Sequence, residues 1–138
     1  MLLDTNVLSE LNRALPDPNV LAWAGAVDER ELYVSVVSIA EMRYGVQLLE
    51  FGRRRAGLES ALPNVIERFA DRTLPVDVSV ADIWGRSITV ARRSGQPVQA
   101  MDGLIGATAL VHGMTVVTRN VHHFTALRAA VTDPWRSD

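Results

Sequence analysis

Short apolar runs alternate along the chain with longer segments in which apolar residues recur at helical spacing. Strands are predicted for the short runs at residues 1–3, 31–35, 74–78, 114–118 and 130–132. Helices are predicted for the segments at residues 7–11, 20–27, 36–50, 52–69, 80–93, 98–112 and 122–127. Because strand and helix alternate throughout, the pattern predicts a three-layer α/β fold, in which a central, mostly parallel sheet of four to five strands lies between helices.

Local signals indicate where several helices begin and end. Ser79 is expected to cap the helix that starts at residue 80, with Asp82 completing a variant of the capping box, so Asp82 is assigned a structural role. Pro63 is expected to divide or kink the helix around it. Gly113 is expected to end the helix that precedes it.

The composition is that of one globular domain covering residues 1–138. Its 138 residues are 48% apolar, which is enough to bury a sizeable core. No apolar run is long enough to cross a membrane, and no basic-then-apolar leader precedes a cleavage site. We therefore expect a cytoplasmic protein without membrane association.

The absence of cysteine and lysine excludes several kinds of catalytic and binding site. The chain has no cysteine, which excludes disulfides, thiol nucleophiles and cysteine-based zinc sites. All 14 basic residues are arginine, so no lysine can form a Schiff base or serve a phosphate-binding loop. Since the formal net charge is −2, any contact with nucleic acid must be local.

Asp4 is the first candidate functional residue. It follows the first apolar run directly, at the end of a predicted buried strand, which is where open α/β sheets bind ligands. The alternative is that Asp4 only caps the helix that follows it, a role that aspartate performs well.

Glu41 and Asp102 are two further acids in apolar surroundings. The residues one helical turn from Glu41, and likewise those around Asp102, are apolar or small. A carboxylate on such a face is costly unless it is paired or bound to a metal ion. For Glu41, partial exposure to water beside Arg43 is the alternative.

These acids are expected to converge if the first and fourth strands are neighbours in the sheet. Asp4 would then face the same crevice as the polar turn at residues 118–120, and Glu41 and Asp102 could reach it. Three nearby carboxylates repel one another, and a divalent cation removes that penalty. Oxygen ligands suit Mg²⁺ or Mn²⁺, which can activate water for phosphodiester hydrolysis.

The histidines and the arginine clusters are not assigned to the site. His112 precedes Gly113 and is assigned to the helix end, and neither residue of the pair 122–123 is assigned a ligand role. The arginine clusters at residues 53–55 and 92–93 are interpreted as solvated helix faces, with phosphate contact as the alternative.

Four segments resemble the motifs of PIN-domain ribonucleases, and more narrowly those of the VapC toxins and FitB-like proteins of bacteria. They are LDTNVLSE at residues 3–10, SIAE at 38–41, DGLIGATA at 102–109 and VTRN at 117–120. Each motif alone is weak, but the four occur in order and at about the family's spacing through nearly the whole chain.

The resemblance implies an endoribonuclease that requires Mg²⁺ or Mn²⁺ and hydrolyses RNA phosphodiester bonds. Asp4 and Asp102 would be direct metal ligands, and Glu41 would be a ligand or a water-orienting acid. The residues that would brace these acids or contact phosphate are Thr5, Asn6 and Thr118.

The resemblance also implies partners. The protein would be the toxin of a type II toxin–antitoxin system and would form a homodimer. A cognate VapB-type antitoxin would cover the helices after the second strand, where residues 36–49 are strongly apolar, and would join the toxin in a larger hetero-oligomer.

The chain departs from the family's pattern in the last motif. Many members place an acid either at the position of Asn120 or just before Phe124, where this chain has His123. This departure puts a second metal position in doubt more than the reaction class. Asn120 can still offer an oxygen ligand or orient water, and it is retained as a candidate catalytic residue.

Two rival functions remain open. A haloacid-dehalogenase-like phosphatase also has an aspartate after its first strand, but it needs a second one where this chain has Asn6, and it needs a lysine. A PIN-like module that binds without cleaving is the other rival. The presence of all three acids argues against it, although the departure at Asn120 and His123 leaves it open.

Overall fold

A computed structural model describes residues 1–136. The strands are β1 (Leu2–Leu3), β2 (Tyr33–Ser35), β3 (Thr73–Leu74), β4 (Val116–Val117) and β5 (Val131–Thr132). The α-helices are α1 (Thr5–Leu11), α2 (Pro18–Ala26), α3 (Val36–Leu48), α4 (Arg53–Arg68), α5 (Val78–Arg93), α6 (Ala100–His112) and α7 (Val121–Ala126). Every predicted strand and helix has a counterpart, but the strands are shorter than the apolar runs that predicted them. The third strand is also displaced, because it covers Thr73–Leu74 instead of residues 74–78, and Val78 begins α5.

The five strands form one parallel sheet in the order β3-β2-β1-β4-β5. The predicted α/β fold is therefore confirmed. Strand β1 lies in the middle, where Leu3 is in register with Val34 of β2 and Val117 of β4. Because β1 and β4 are neighbours at the reversal of strand order, the residues that follow them, Asp4 and Thr118, emerge side by side.

Successive residues of β1 contribute to cores on opposite faces of the sheet. Leu3 packs with side chains of α1 and α4, whereas Leu2 packs with side chains of α6 and α7, including Ile105 and Phe124. The sheet thus lies between two helical layers, as predicted. No helix within residues 1–136 is long and apolar enough to cross a membrane.

The predicted cap at Ser79 is wrong. Helix α5 begins at Val78, and Asp77 caps it by accepting a hydrogen bond from the amide of Val80 at 2.9 Å. Both residues are good caps, so the composition of the segment does not decide between them. Asp82 instead lies on the surface, where it pairs with Arg86 at 2.9 Å.

Pro63 does not divide its helix, because α4 runs continuously from Arg53 to Arg68. Pro63 lies on the exposed face of α4, where water can satisfy the carbonyl that loses its amide partner. The predicted end of α6 is confirmed: Gly113 adopts the left-handed conformation with φ of 60° and follows His112 directly.

Candidate metal centre

Three acidic side chains meet at the carboxyl end of the central strand. Asp4 follows β1, Glu41 lies in the second turn of α3, and Asp102 lies in the first turn of α6. Each contributes a carboxylate oxygen, and these oxygens all lie within 4.8 Å of one another. The fold therefore brings together the three acids that the sequence singled out.

Asp4 is both the cap of α1 and a member of the acidic cluster. One of its oxygens caps α1 by accepting a hydrogen bond from the amide of Thr5 at 2.7 Å. The other accepts a hydrogen bond from the Thr118 hydroxyl at 2.6 Å. The side chain is buried, so it is held in place at the bottom of the acidic cluster.

The surroundings of Asp4 make its ionised form costly. The pKa of Asp4 is raised from its ordinary value near 3.8 to about 6, mainly by burial, even though the hydrogen bonds from Thr118 and Thr5 lower it. The negative charges of Asp102 and Glu41 contribute to this increase. A positive ion among the three carboxylates would remove much of this cost.

Glu41 is only partly buried and is held by one hydroxyl group. The Thr5 hydroxyl donates a hydrogen bond to Oε1 of Glu41 at 2.7 Å. Burial and the charge of Asp102 raise the pKa of Glu41, whereas the bond from Thr5 lowers it. Thr5 thus joins two of the acids, because its amide donates a hydrogen bond to Asp4 and its hydroxyl donates one to Glu41.

Asp102 has a partner that the sequence analysis missed. Nδ1 of His123, on α7, lies 2.6 Å from Oδ2 of Asp102. The two residues are 21 positions apart, so helical spacing alone cannot relate them. The available signal was the family pattern, in which an acid often stands where this chain has His123.

The polar residues of the first and last motifs form one network around Asp4. The Thr118 hydroxyl accepts hydrogen bonds from the Asn120 amide at 2.9 Å and from the Asn6 side chain at 3.3 Å. Asn6 also accepts from the Arg119 amide at 3.4 Å. The side chain of Asn120 makes no capping bond to α7 and lines the same cavity as the three acids.

The three acids line a cavity of about 1360 Å³. Four arginines also line it, and they come from three different parts of the chain: Arg13, Arg53, Arg54 and Arg119. The guanidinium of Arg119 lies 5.3 Å from the ring centre of Trp135, which is another lining residue. The lining of the cavity therefore carries both acidic and basic side chains.

The donor set fits a small divalent cation. It consists of carboxylate oxygens, which Mg²⁺ and Mn²⁺ favour, and it contains no histidine nitrogen or cysteine sulfur. Two oxygens bound to one Mg²⁺ at about 2.1 Å lie no more than about 4.2 Å apart. The observed span of 4.8 Å closes to this value with sub-ångström movements of the side chains.

Residues 1–128 match the model of the PIN domain family. The chain is 40% identical to the toxin FitB of Neisseria gonorrhoeae over 136 residues, which cover 98% of each protein. It is 38% identical over 136 residues to the VapC ribonuclease Y4jK of Sinorhizobium fredii, covering 98% of this chain and 97% of that protein. A chain in the structure of FitAB bound to the IR36 DNA fragment superposes with a TM-score of 0.91 at 40% identity, covering 99% of this chain and 96% of that one. The family resemblance of the four sequence motifs is thus confirmed, and the chain belongs to the PIN domain family.

Proposed function

We propose that the protein is a divalent-metal-dependent endoribonuclease that serves as the toxin of a type II toxin–antitoxin system. The observation that carries this proposal is the cluster of Asp4, Glu41 and Asp102, whose oxygens lie within 4.8 Å in a PIN-domain chain. The relatives named as a toxin and as a ribonuclease support the same reaction class.

In this proposal the three acids hold Mg²⁺ or Mn²⁺, with Asp4 and Asp102 as direct ligands. When bound, the cation supplies positive charge for a phosphoryl oxygen and lowers the pKa of a water molecule. Glu41 is a ligand or the acceptor of a proton from the attacking water.

The surrounding polar residues are proposed to position these groups. Thr5 and Thr118 hold the carboxylates through the hydrogen bonds described above. Asn6 fixes the turn that carries Arg119 and Asn120. Asn120 lines the cavity, and in this proposal its side-chain oxygen orients water or ligates a cation.

RNA is the proposed substrate because arginines give the cavity local positive charge, although the formal net charge of the whole protein is −2. Within residues 1–136, no carboxylate pairs with Arg53, Arg54 or Arg119. These side chains are therefore able to contact the phosphates on either side of the bond that is cleaved.

The direct test is cleavage of a synthetic single-stranded RNA by the wild-type protein and by Asp4→Asn and Asp102→Asn. Wild type should cleave with Mg²⁺ or Mn²⁺ and stop when EDTA is added. Each Asn variant should lose cleavage on the order of 100-fold or more, because an amide is a weaker ligand than a carboxylate. Asp82→Asn is the matched control, since Asp82 is a surface acid paired with Arg86, and it should cleave normally.

Three results would contradict the proposal. Either Asn variant could cleave as fast as wild type, or wild-type cleavage could survive EDTA. Alternatively, the folded wild-type protein could bind RNA without cutting it under any divalent metal, which would identify a binding module. Hydrolysis of p-nitrophenyl phosphate in place of RNA would identify a phosphatase.

The proposed partner is an antitoxin of the VapB type that covers α3 and the start of α4. Large apolar side chains are exposed there: Tyr44 and Leu48 are each 67% exposed, and Phe51 is 90% exposed. The family resemblance supports a homodimer and a larger complex with the antitoxin. A small neighbouring gene that encodes a DNA-binding protein should rescue growth when it is co-expressed with this chain, and failure of every such gene to do so would count against the toxin role.

A further inference from the structure

We propose that His123 is a positioning residue that fixes the carboxylate of Asp102 for metal binding. This inference rests on the proposed function, because it assigns the bound ion to the cluster of Asp4, Glu41 and Asp102. Its central observation is the distance of 2.6 Å between Nδ1 of His123 and Oδ2 of Asp102.

Each acid of the cluster has its own donor. Asp4 accepts from the Thr5 amide and the Thr118 hydroxyl, and Glu41 accepts from the Thr5 hydroxyl. Within residues 1–136, the only side-chain bond to the Asp102 carboxylate is the one from His123. Without it, Asp102 would be the one acid of the three that is free to rotate about its terminal torsion.

The chemistry of the contact fixes the direction of the hydrogen bond. An ionised carboxylate only accepts, so Nδ1 of His123 must carry the hydrogen. That hydrogen is present both in the neutral tautomer protonated on Nδ1 and in the imidazolium form. The donor is therefore available whichever of these two forms His123 takes.

The backbone around His123 is held firmly against α6. The next residue, Phe124, is fully buried beside Ile105, and Leu127 approaches Gly106 so closely that a Cβ there would lie 2.5 Å from its Cδ1. Gly106 lies four positions after Asp102 and so on the same face of α6. The close approach of Leu127 to Gly106 thus positions α7 along α6 so that His123 reaches Asp102.

A histidine at position 123, where many members of the family have an acid, also changes the charge of the site. An acid at position 123 would add a fourth negative charge beside a cluster in which the charge of Asp102 already raises the pKa of both Asp4 and Glu41. His123 supplies a donor and no negative charge. The inference is that this chain keeps three acids for the ion and uses the fourth position to orient one of them.

The test measures Mn²⁺ binding to the isolated protein by calorimetry for wild type, His123→Leu and His123→Asn. The leucine removes the donor, and Mn²⁺ affinity should fall about 10-fold or more, as it does when groups that orient metal ligands are removed. The asparagine can place an amide N–H near the position of Nδ1 and should restore most of the affinity. His122→Leu is the matched control, because His122 is the exposed neighbour, and it should bind Mn²⁺ like wild type.

A spectroscopic readout separates positioning from direct ligation. If His123 only orients Asp102, pulsed electron paramagnetic resonance of bound Mn²⁺ should show no directly coordinated imidazole nitrogen. Such a nitrogen, or wild-type affinity in His123→Leu, would overturn the inference while leaving the proposed function intact. So would a loss in His123→Asn as large as that in His123→Leu. If wild type binds no Mn²⁺ at all, both the inference and the metal-dependent function fail.

Discussion

At the scale of single residues, Asp4 connects the fold to the proposed chemistry. Its carboxylate caps α1, accepts a hydrogen bond from the buried hydroxyl of Thr118 and lies beside two other acids. These bonds hold the side chain in place but do not remove the cost of its charge, because the pKa of Asp4 remains raised to about 6. The site is thus less stable at neutral pH without a cation than with one.

This cost predicts how stability depends on pH. Between about pH 4 and 6 the folded protein keeps a proton on Asp4 that the unfolded chain has lost. Without divalent cations, the contribution of Asp4 to the free energy of unfolding should therefore fall as the pH rises through this window. The shift of about two pKa units corresponds to at most about 3 kcal/mol.

Added Mg²⁺ should stabilise the protein more at pH 8 than at pH 5, since it binds the ionised carboxylates. Urea unfolding at each pH, with Mg²⁺ or with EDTA, measures both effects. Asp4→Asn is the control, and the difference in free energy of unfolding between it and wild type should carry the predicted fall between pH 4 and 6. Equal stabilisation by Mg²⁺ at both pH values would argue against ionised acids as the binding groups.

At the scale of helices and strands, α6 carries Asp102 and is packed closely on both sides. A Cβ on Gly103 would lie 2.6 Å from Cδ1 of Ile88 and 2.8 Å from Nε1 of Trp84, both on α5. That indole nitrogen donates to the carbonyl of Ala100 at 3.2 Å and so anchors the first turn of α6. The position of Asp102 therefore depends on how tightly α5 packs against α6.

We expect Gly103→Ala to lower the free energy of unfolding by about 1–3 kcal/mol through overpacking against α5. The matched control is Gly85→Ala, where a new Cβ meets no atom within 4 Å. Because glycine is unfavourable inside a helix, Gly85→Ala should stabilise the protein by about 0.5–1 kcal/mol. Urea unfolding of the two variants would contradict the packing seen here if Gly103→Ala were at least as stable as Gly85→Ala.

The elements were predicted well where periodicity alone defines them, and less well where side chains decide the outcome. The predicted helical segments correspond to the seven α-helices of residues 1–136, and the polar residues after strands one and four identified the edge of the sheet that carries the acids. The start of α5 was missed because Asp77 and Ser79 are both able caps. The contact between His123 and Asp102 was missed because it depends on how α7 packs on α6.

At the scale of the whole molecule, the order of the strands creates the site. With β1 between β2 and β4, the chain reverses its direction of winding at the central strand, and Asp4 and Thr118 lie at that point. The helices that follow β2 and precede β4 bring in Glu41 and Asp102 from either side. Three acids that are distant in the sequence thus meet only because of the topology.

The most direct test of this account is a crystal structure of the wild-type protein grown with Mn²⁺, with anomalous scattering used to locate the ion. The account predicts an anomalous peak among Asp4, Glu41 and Asp102, within about 2.2 Å of oxygens from at least two of them. Crystals in which Mn²⁺ occupies other sites while these three carboxylates stay without an ion would contradict it.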